Sequence, residues 1–347
     1  MRQSFAFVLV AVFAVFPGFT GANDDQSPSF DEVISLLKMD PSVKQRALAG
    51  EIVMLDRDNS IDKELALALV AVIRRPYNEV LNAVKGNRLF QFNGYILDFV
   101  EIKGSPDESK FQGLGFTTSD TDEGWALLEA KAGNRSNLST EEIARFRKLR
   151  AEVAGLDDAA FIDAVNKVIH TSLAERLRRY QAMGLNGITT YQRSGEETSS
   201  PAEELVTATR AMEDMKRYAP EFFNILQNFP DAQLTDVEHR FYVFKADIEG
   251  RTGFILSHRI YFFGTEFTIL AERHIYTPHS YNSLQLVAGI IPHEDSSVLF
   301  YGNRTYTDQV SGLGSSIKHS VGSEMMAEEI KALISDVRDG LESGKTK

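Results

Sequence analysis

His258-Arg259-Ile260-Tyr261-Phe262-Phe263-Gly264-Thr265-Glu266-Phe267-Thr268-Ile269-Leu270-Ala271-Glu272-Arg273 is the stretch on which the fold of this chain turns. Two alternating runs flank a glycine, which is the pattern of a β-hairpin. Read as a two-residue turn, Gly264-Thr265 asks Gly264 for the positive φ of a type II′ turn. That register sets Phe262 opposite Phe267, Ile260 opposite Ile269, His258 opposite Ala271, Leu256 opposite Arg273 and Phe254 opposite Ile275. Cross-strand partners share a face because side chains alternate with period 2. One face therefore gathers Phe254, Leu256, Ile260, Phe262, Phe267, Ile269 and Ile275. The other gathers Ser257, Arg259, Glu266, Thr268, Glu272 and His274. The first is expected inside and the second toward water.

His258 and Arg273 interrupt the inner face. In the next run Leu284, Leu286, Ala288 and Ile290 alternate with Ser283 and Gln285, which places Asn282 on the inner side. In Val298–Tyr306 the even positions turn Arg304 inward with Val298, Phe300 and Tyr306. A buried guanidinium stays charged, so each inward arginine needs a carboxylate, carbonyls, water or a bound anion. One reading is a structural ion pair or snorkelling at the sheet edge. The other is a polar clamp for the head group of an amphiphile, with His258, Arg273, Arg304 and Asn282 as its polar groups. Phe254, Leu256, Ile260, Phe267 and Ile269 would then line the apolar part.

Working outward, Met326, Ile330, Leu333, Ile334, Val337 and Leu341 recur at helical spacing and predict a long amphipathic C-terminal helix. Before the hairpin, Leu65–Arg74 reads as a strand ended by Arg75-Pro76, and Pro76 opens a helix over Tyr77–Val84. Further strands are expected at Glu51–Leu55 and Tyr95–Ile102. Ser29 with Glu32 has capping-box spacing. From about Gly104 to Asp236 the chain reads as mainly helical, with starts at Ser139, Asp157 and Ser200-Pro201 and a stop at Gly184. The expected fold is α+β: a curved antiparallel sheet, a long C-terminal helix across it, and a helical insertion at about 104–236 within one domain over 23–347.

Arg2, the apolar run Phe5–Phe16 and the small residues to Ala22 read as a secretory leader, cut near Ala22. The expected location is periplasmic or secreted. The chain has no cysteine, hence no disulfides and no thiolate ligands. A net charge of −12 over 347 residues argues against nucleic acid as a partner. No later run is apolar enough for a stable membrane span. Phosphate-binding loops, dinucleotide fingerprints, zinc-protease helices and nucleophile elbows are missing from the sequence. Gly312-Leu313-Gly314 reads as a plain turn, and His274, His279 and His293 as scattered surface histidines. No cofactor or metal is expected.

Val70-Ala71-Val72-Ile73-Arg74-Arg75-Pro76-Tyr77-Asn78-Glu79-Val80-Leu81, a strand running into a proline-started helix, resembles the START-like (helix-grip) superfamily of polyketide cyclases and lipid-binding proteins. The antiparallel run ending in a long helix resembles it too, and the two together cover about half the chain after the leader. The resemblance implies a hydrophobic cavity between sheet and C-terminal helix, and it carries over no catalytic residue. The leading expectation is a carrier for a lipid or another hydrophobic or amphiphilic small molecule. The alternatives are an enzyme on the same scaffold using His258 as acid/base, and a non-catalytic envelope assembly protein.

Overall fold

The computed structural model describes residues 28–55, 57–264, 266–311 and 314–344. The expected leader, Phe5–Phe16 and Ala22 included, lies outside the described residues, as do Gly312 and Leu313. Helices α1 (Phe30–Leu36) and α2 (Ser42–Leu48) lead to strands β1 (Val53–Leu55) and β2 (Glu64–Ile73). Helix α3 (Tyr77–Lys85), a 3-10 turn (Arg88–Phe92) and β3 (Ile96–Ile102) follow. Next come α4 (Thr121–Leu128), α5 (Thr140–Glu152), α6 (Asp158–Met183), the short strands β4 (Tyr191–Gln192) and β5 (Thr198–Ser199), α7 (Pro201–Arg210), α8 (Glu213–Tyr218) and α9 (Pro220–Asn228). Strands β6 (Val237–Ile248), β7 (Arg251–Phe263), β8 (Thr268–Tyr276), β9 (Ser283–His293) and β10 (Ser296–Tyr306) precede the closing helix α10 (Ser315–Ser343).

Eight of the strands form one antiparallel sheet in the order β1-β2-β10-β9-β8-β7-β6-β3. Strands β3 and β6 are neighbours, with Ile102 opposite Phe241, so the helical excursion between them leaves and returns at one edge. The long last helix packs across a sheet whose last strand pairs with β2. The protein is α+β with a helix-grip-like arrangement. Local signals behave as written: Ser29 and Glu32 form a capping box, as do Ser139 and Glu142, and Gly184 caps α6 at φ 56°. The leucines and alanines of β2 suit a helix, yet pairing with β10 along its whole length holds them extended.

The hairpin departs from its expected register. Gly264 does not adopt a left-handed φ. Its N–H donates instead to the Phe267 carbonyl (2.8 Å), closing a longer loop in which a Cβ at Gly264 would sit 2.8 Å from that oxygen. Phe263 therefore pairs with Thr268, Ile260 with Ala271 and His258 with Arg273, two residues from the expected register. A shift of two leaves every side chain on its face, so the face assignment survives. A bulge then sets Leu256 opposite Tyr276.

The larger correction concerns what covers each face. The face with Ile260, Ile269, His258 and Arg273 packs against α1, α2 and the middle helices, not against α10. The face expected in water is buried: Ser257, Thr268 and Glu272 are at most 3% exposed. Helices α3 and α10 cover it through Tyr77, Val80, Ile330, Ile334 and Leu341. Strand β9 is also turned over: Leu286, Ala288 and Ile290 face α10, while Gln285 and Val287 face the middle helices. The polar residues under α3 and α10 are buried in contact with one another. Arg259 pairs with Glu272 at 2.6 Å and lies over the Phe90 ring at 4.3 Å. Ser257 donates to Glu272 (2.6 Å), and His274 sits between Glu272 (3.3 Å) and the Tyr281 hydroxyl (2.8 Å). Burial pushes the Glu272 carboxyl up, but Arg259, His274 and Ser257 outweigh it and hold it at about 2.

Candidate functional site

The residues singled out in the sequence fall into five separate environments. His258 and Arg273 face each other across β7 and β8, both at 0% exposure. His258 Nδ1 meets the Tyr180 hydroxyl at 2.8 Å and Nε2 meets His239 Nδ1 at 2.9 Å, while Phe229 and Phe241 pack on its ring. Burial, then His239 and Arg273, drives its imidazole well below its ordinary range, so it is neutral. Both ring nitrogens are hydrogen-bonded to side chains of the protein. Arg273 donates to Gln285 Oε1 (2.7 Å), Thr209 Oγ1 (2.9 Å) and the Leu226 carbonyl, and among the described residues no carboxylate pairs with it.

Arg304 is an ion pair at the sheet margin, 2.8 Å from the buried Glu64, which also accepts from Tyr306 (2.7 Å). Asn282 belongs to a buried polar network: its Nδ2 donates to Ser199 Oγ and Glu204 Oε1, each at 2.9 Å, and its Oδ1 accepts from Arg193 (2.9 Å). Phe254 and Leu256 lie in the core shared with α5 and α6, and Ile260, Phe267 and Ile269 in the core shared with α1, α8 and α9. They do not converge on one pocket beneath α10.

A different set of residues does converge. Beneath α4, α5 and α6, at the end of β7 and β8 that leads into the Pro278-His279 loop, lies a cavity of about 40 Å³. Phe116, Phe146, Ile169, Leu173 and Phe254 make its walls apolar. Ser172 and Arg176 from α6 and His279 from the loop after β8 also line it, as do Glu123, Glu142 and Arg251. Of these, Ser172, Arg176 and His279 are 8%, 5% and 4% exposed, and Ser172 Oγ, Arg176 Nη1 and His279 Nε2 each lack a hydrogen-bond partner among the described residues. Buried polar atoms are nearly always paired, so it is notable that three residues lining one cavity each carry an unpartnered one.

Each is held by its sequence neighbours. Val165, Ile169, Leu173 and Leu177 form the buried stripe of α6, and Ser172 and Arg176, one turn apart, lie along it. Arg176 is steered by Glu142, which accepts its Nε at 2.6 Å and also its Nη2. Glu142 simultaneously accepts from the Ser139 N–H (2.8 Å), so the capping box of α5 aims the carboxylate at α6. Burial resists ionising Glu142, but Arg176 and the Ser139 bonds dominate and lower its carboxyl. The Arg176 guanidinium also stacks over Tyr276 at 4.3 Å, leaving only Nη1 free. At the mouth Arg251 forks onto Glu123 at 3.1 and 2.8 Å. Gly253 admits the Pro278 ring, since a Cβ there would clash with Pro278. Burial, then Arg251, brings the His279 imidazole down to about 4, so it is neutral near pH 7.

The reading of His279 as a surface histidine is thus overturned, because β7 and the Pro278 turn enclose it. One signal for this site was open in the sequence: a serine and an arginine four apart on an otherwise apolar helical stripe. The approach of a loop some 100 residues away along the chain has no local signature. Among the described residues no group of three or more His, Cys, Asp or Glu is placed to hold a metal ion. No helix among them is long and apolar enough to cross a membrane.

No known family's sequence pattern matches the chain, and no curated protein matches it. Among solved structures, the di-domain ARO/CYC StfQ from the steffimycin biosynthetic pathway aligns over 80% of this chain and 99% of its own, with 11% identity and a TM-score of 0.24. At that identity and score the likeness carries no argument.

Proposed function

We propose that the protein is a non-catalytic binder of a small amphiphilic molecule, which it takes into the cavity between α5, α6 and the β7–β8 end of the sheet. The observation that supports this is a mainly apolar cavity whose lining includes Ser172, Arg176 and His279, each with a buried polar atom that lacks a partner among the described residues. A volume of about 40 Å³ suits only a small ligand, about three water molecules' worth at roughly 10–15 Å³ each. Ser172→Leu fills that space from α6. Binding of 1-butanol, followed by protein NMR shifts, should weaken at least roughly tenfold while the thermal midpoint stays level or rises. Indistinguishable binding by the wild type and Ser172→Leu would remove this assignment.

A second reading, a longer ligand under the C-terminal helix, draws on Leu270, Leu284, Leu286 and Met326, which remain half-buried beside Arg259 and His274 on the α10 face. A fluorescent long-chain fatty acid that binds the wild type and is lost with Met326→Trp would favour that location. Loss with Ser172→Leu instead would favour the cavity.

A further inference from the structure

Arg273, His258 and His239 meet under the end of α9, and no carboxylate among the described residues faces them. Arg273 donates to the Leu226 carbonyl, one of the last four of α9, a helix with no basic residue in its own final turn. A cation there suits the helix dipole and satisfies a carbonyl that the helix leaves open. His258 stands opposite Arg273 across β7 and β8, and its Nε2 lies 2.9 Å from Nδ1 of His239 on β6. Phe229, the C-cap residue of α9, closes over both imidazoles, with ring centroids 4.6 Å from His258 and 5.1 Å from His239.

The other charged or titratable groups facing the pair are Arg273 from β8 and Tyr180 from α6, whose hydroxyl is 2.8 Å from His258 Nδ1. Phe241 adds an apolar wall 4.5 Å from the His258 ring, and the end of α9 contributes no charged side chain. Thr209 and Gln285, which hold Arg273, are neutral. A proton that arrives here therefore meets a buried cation and no anion. His258 is at 0% exposure, whereas His239 is half-buried and is the point of entry. The bond between the rings needs one proton between its two nitrogens. With both rings protonated, N–H faces N–H and the bond cannot exist.

We infer that His239 and His258 form an acid-triggered latch: protonation of both releases the end of α9 with Phe229 and uncovers Tyr180 and Phe241, while the rest of the molecule stays folded. The closed form excludes the second proton by geometry, and the open form accepts both.

The test is native-state hydrogen exchange on the intact chain between about pH 6 and 5, corrected for intrinsic rates, beside urea unfolding at the same pH. Open, each histidine titrates near its ordinary pKa of about 6.5. Over that interval one proton raises an opening constant at most roughly eightfold, and two raise it at most roughly 60-fold. Amides at 225–229 should rise by well over eightfold. At pH 5 their opening constant should exceed the global unfolding constant by roughly tenfold or more. His239→Gln keeps a hydrogen-bonding partner for His258 and leaves one titrating ring, so its rise should fall to roughly eightfold or less. Adding His258→Phe should remove the rise altogether; if that double variant does not fold, the wild type and His239→Gln decide. A wild-type rise of eightfold or less, opening no more frequent than global unfolding, or an unchanged rise in His239→Gln would overturn the latch.

Discussion

Arg259 and Glu272 show how a residue pair decides what a face can be. Their side chains are 13% and 4% exposed, and Glu272 is kept ionised by Arg259, His274 and Ser257 against the cost of burial. Removing only the carboxylate leaves a buried cation without its counter-charge, a change that costs about 3–5 kcal/mol. Glu272→Leu is therefore expected to lose that much stability in urea unfolding. Replacing both residues, Glu272→Leu with Arg259→Met, should restore most of it because apolar groups of similar volume need no partner. A double variant no better than the single one would show that the pair is not what the α10 face depends on. The same pair explains a misreading of the sequence. Ser257, Arg259, Glu272 and His274 carry the polar half of a period-2 pattern, which ordinarily means water. Their mutual satisfaction is a three-dimensional property, absent from the spacing.

At the scale of elements, α10 is attached through contacts that its amphipathic stripe does not reveal. The apolar spacing of Ile330, Ile334 and Leu341 was legible, and those residues do reach the sheet. Its face of contact was not, because the period-2 pattern assigned the apolar face to the interior and the polar face to water, whereas α10 docks on the polar one. Two glycines set the docking. Gly322 faces Val310 and Leu65, and Gly340 lies against the Phe92 ring so closely that a Cβ would overlap it. Glycine in a helix interior is usually worse than alanine by about 1 kcal/mol, which would make Gly340→Ala stabilising on propensity alone. The clash with Phe92 reverses the sign, since overpacking a tight contact costs about 1–3 kcal/mol. Gly340→Ala should speed hydrogen exchange in α10 relative to α6, by loosening one helix rather than the whole protein. Slower exchange in α10 would mean that propensity outweighs packing there.

For the whole molecule, the sheet is an interior layer with helices on both sides, and that arrangement buries more ionisable groups than a half-exposed sheet would. His239, His258 and His279 all have imidazoles lowered from 6.5, chiefly by burial. In each the folded state refuses a proton that the unfolded chain accepts. The stability they contribute is full above pH 6.5 and is lost as pH falls, over the window from 6.5 toward about 4 for His279. The urea midpoint should therefore drop between about pH 7 and 5, before most carboxylates titrate, and His258→Phe should flatten the slope. A midpoint constant across that range would count against buried neutral histidines. The layer count was the part of the fold least open to sequence reading. The helical insertion was recognisable from its caps, but nothing in residues 104–236 says which side of the sheet they will cover.

The pairing of β2 with β10 bears on how such a chain comes into being. Glu64 and Tyr306 meet across 242 residues, while on its other side β2 has only the three residues of β1. As the polypeptide emerges from the ribosome, Glu64–Ile73 is among the first strands made and the last to be completed. For most of its synthesis the protein carries a ten-residue, leucine-rich strand with an open edge. The seam between β2 and β10 can close only after β10 is released. Nascent copies working side by side on one messenger therefore expose the same adhesive edge to each other, and crowding at that stage, more than heat or acid later, is the hazard this topology creates.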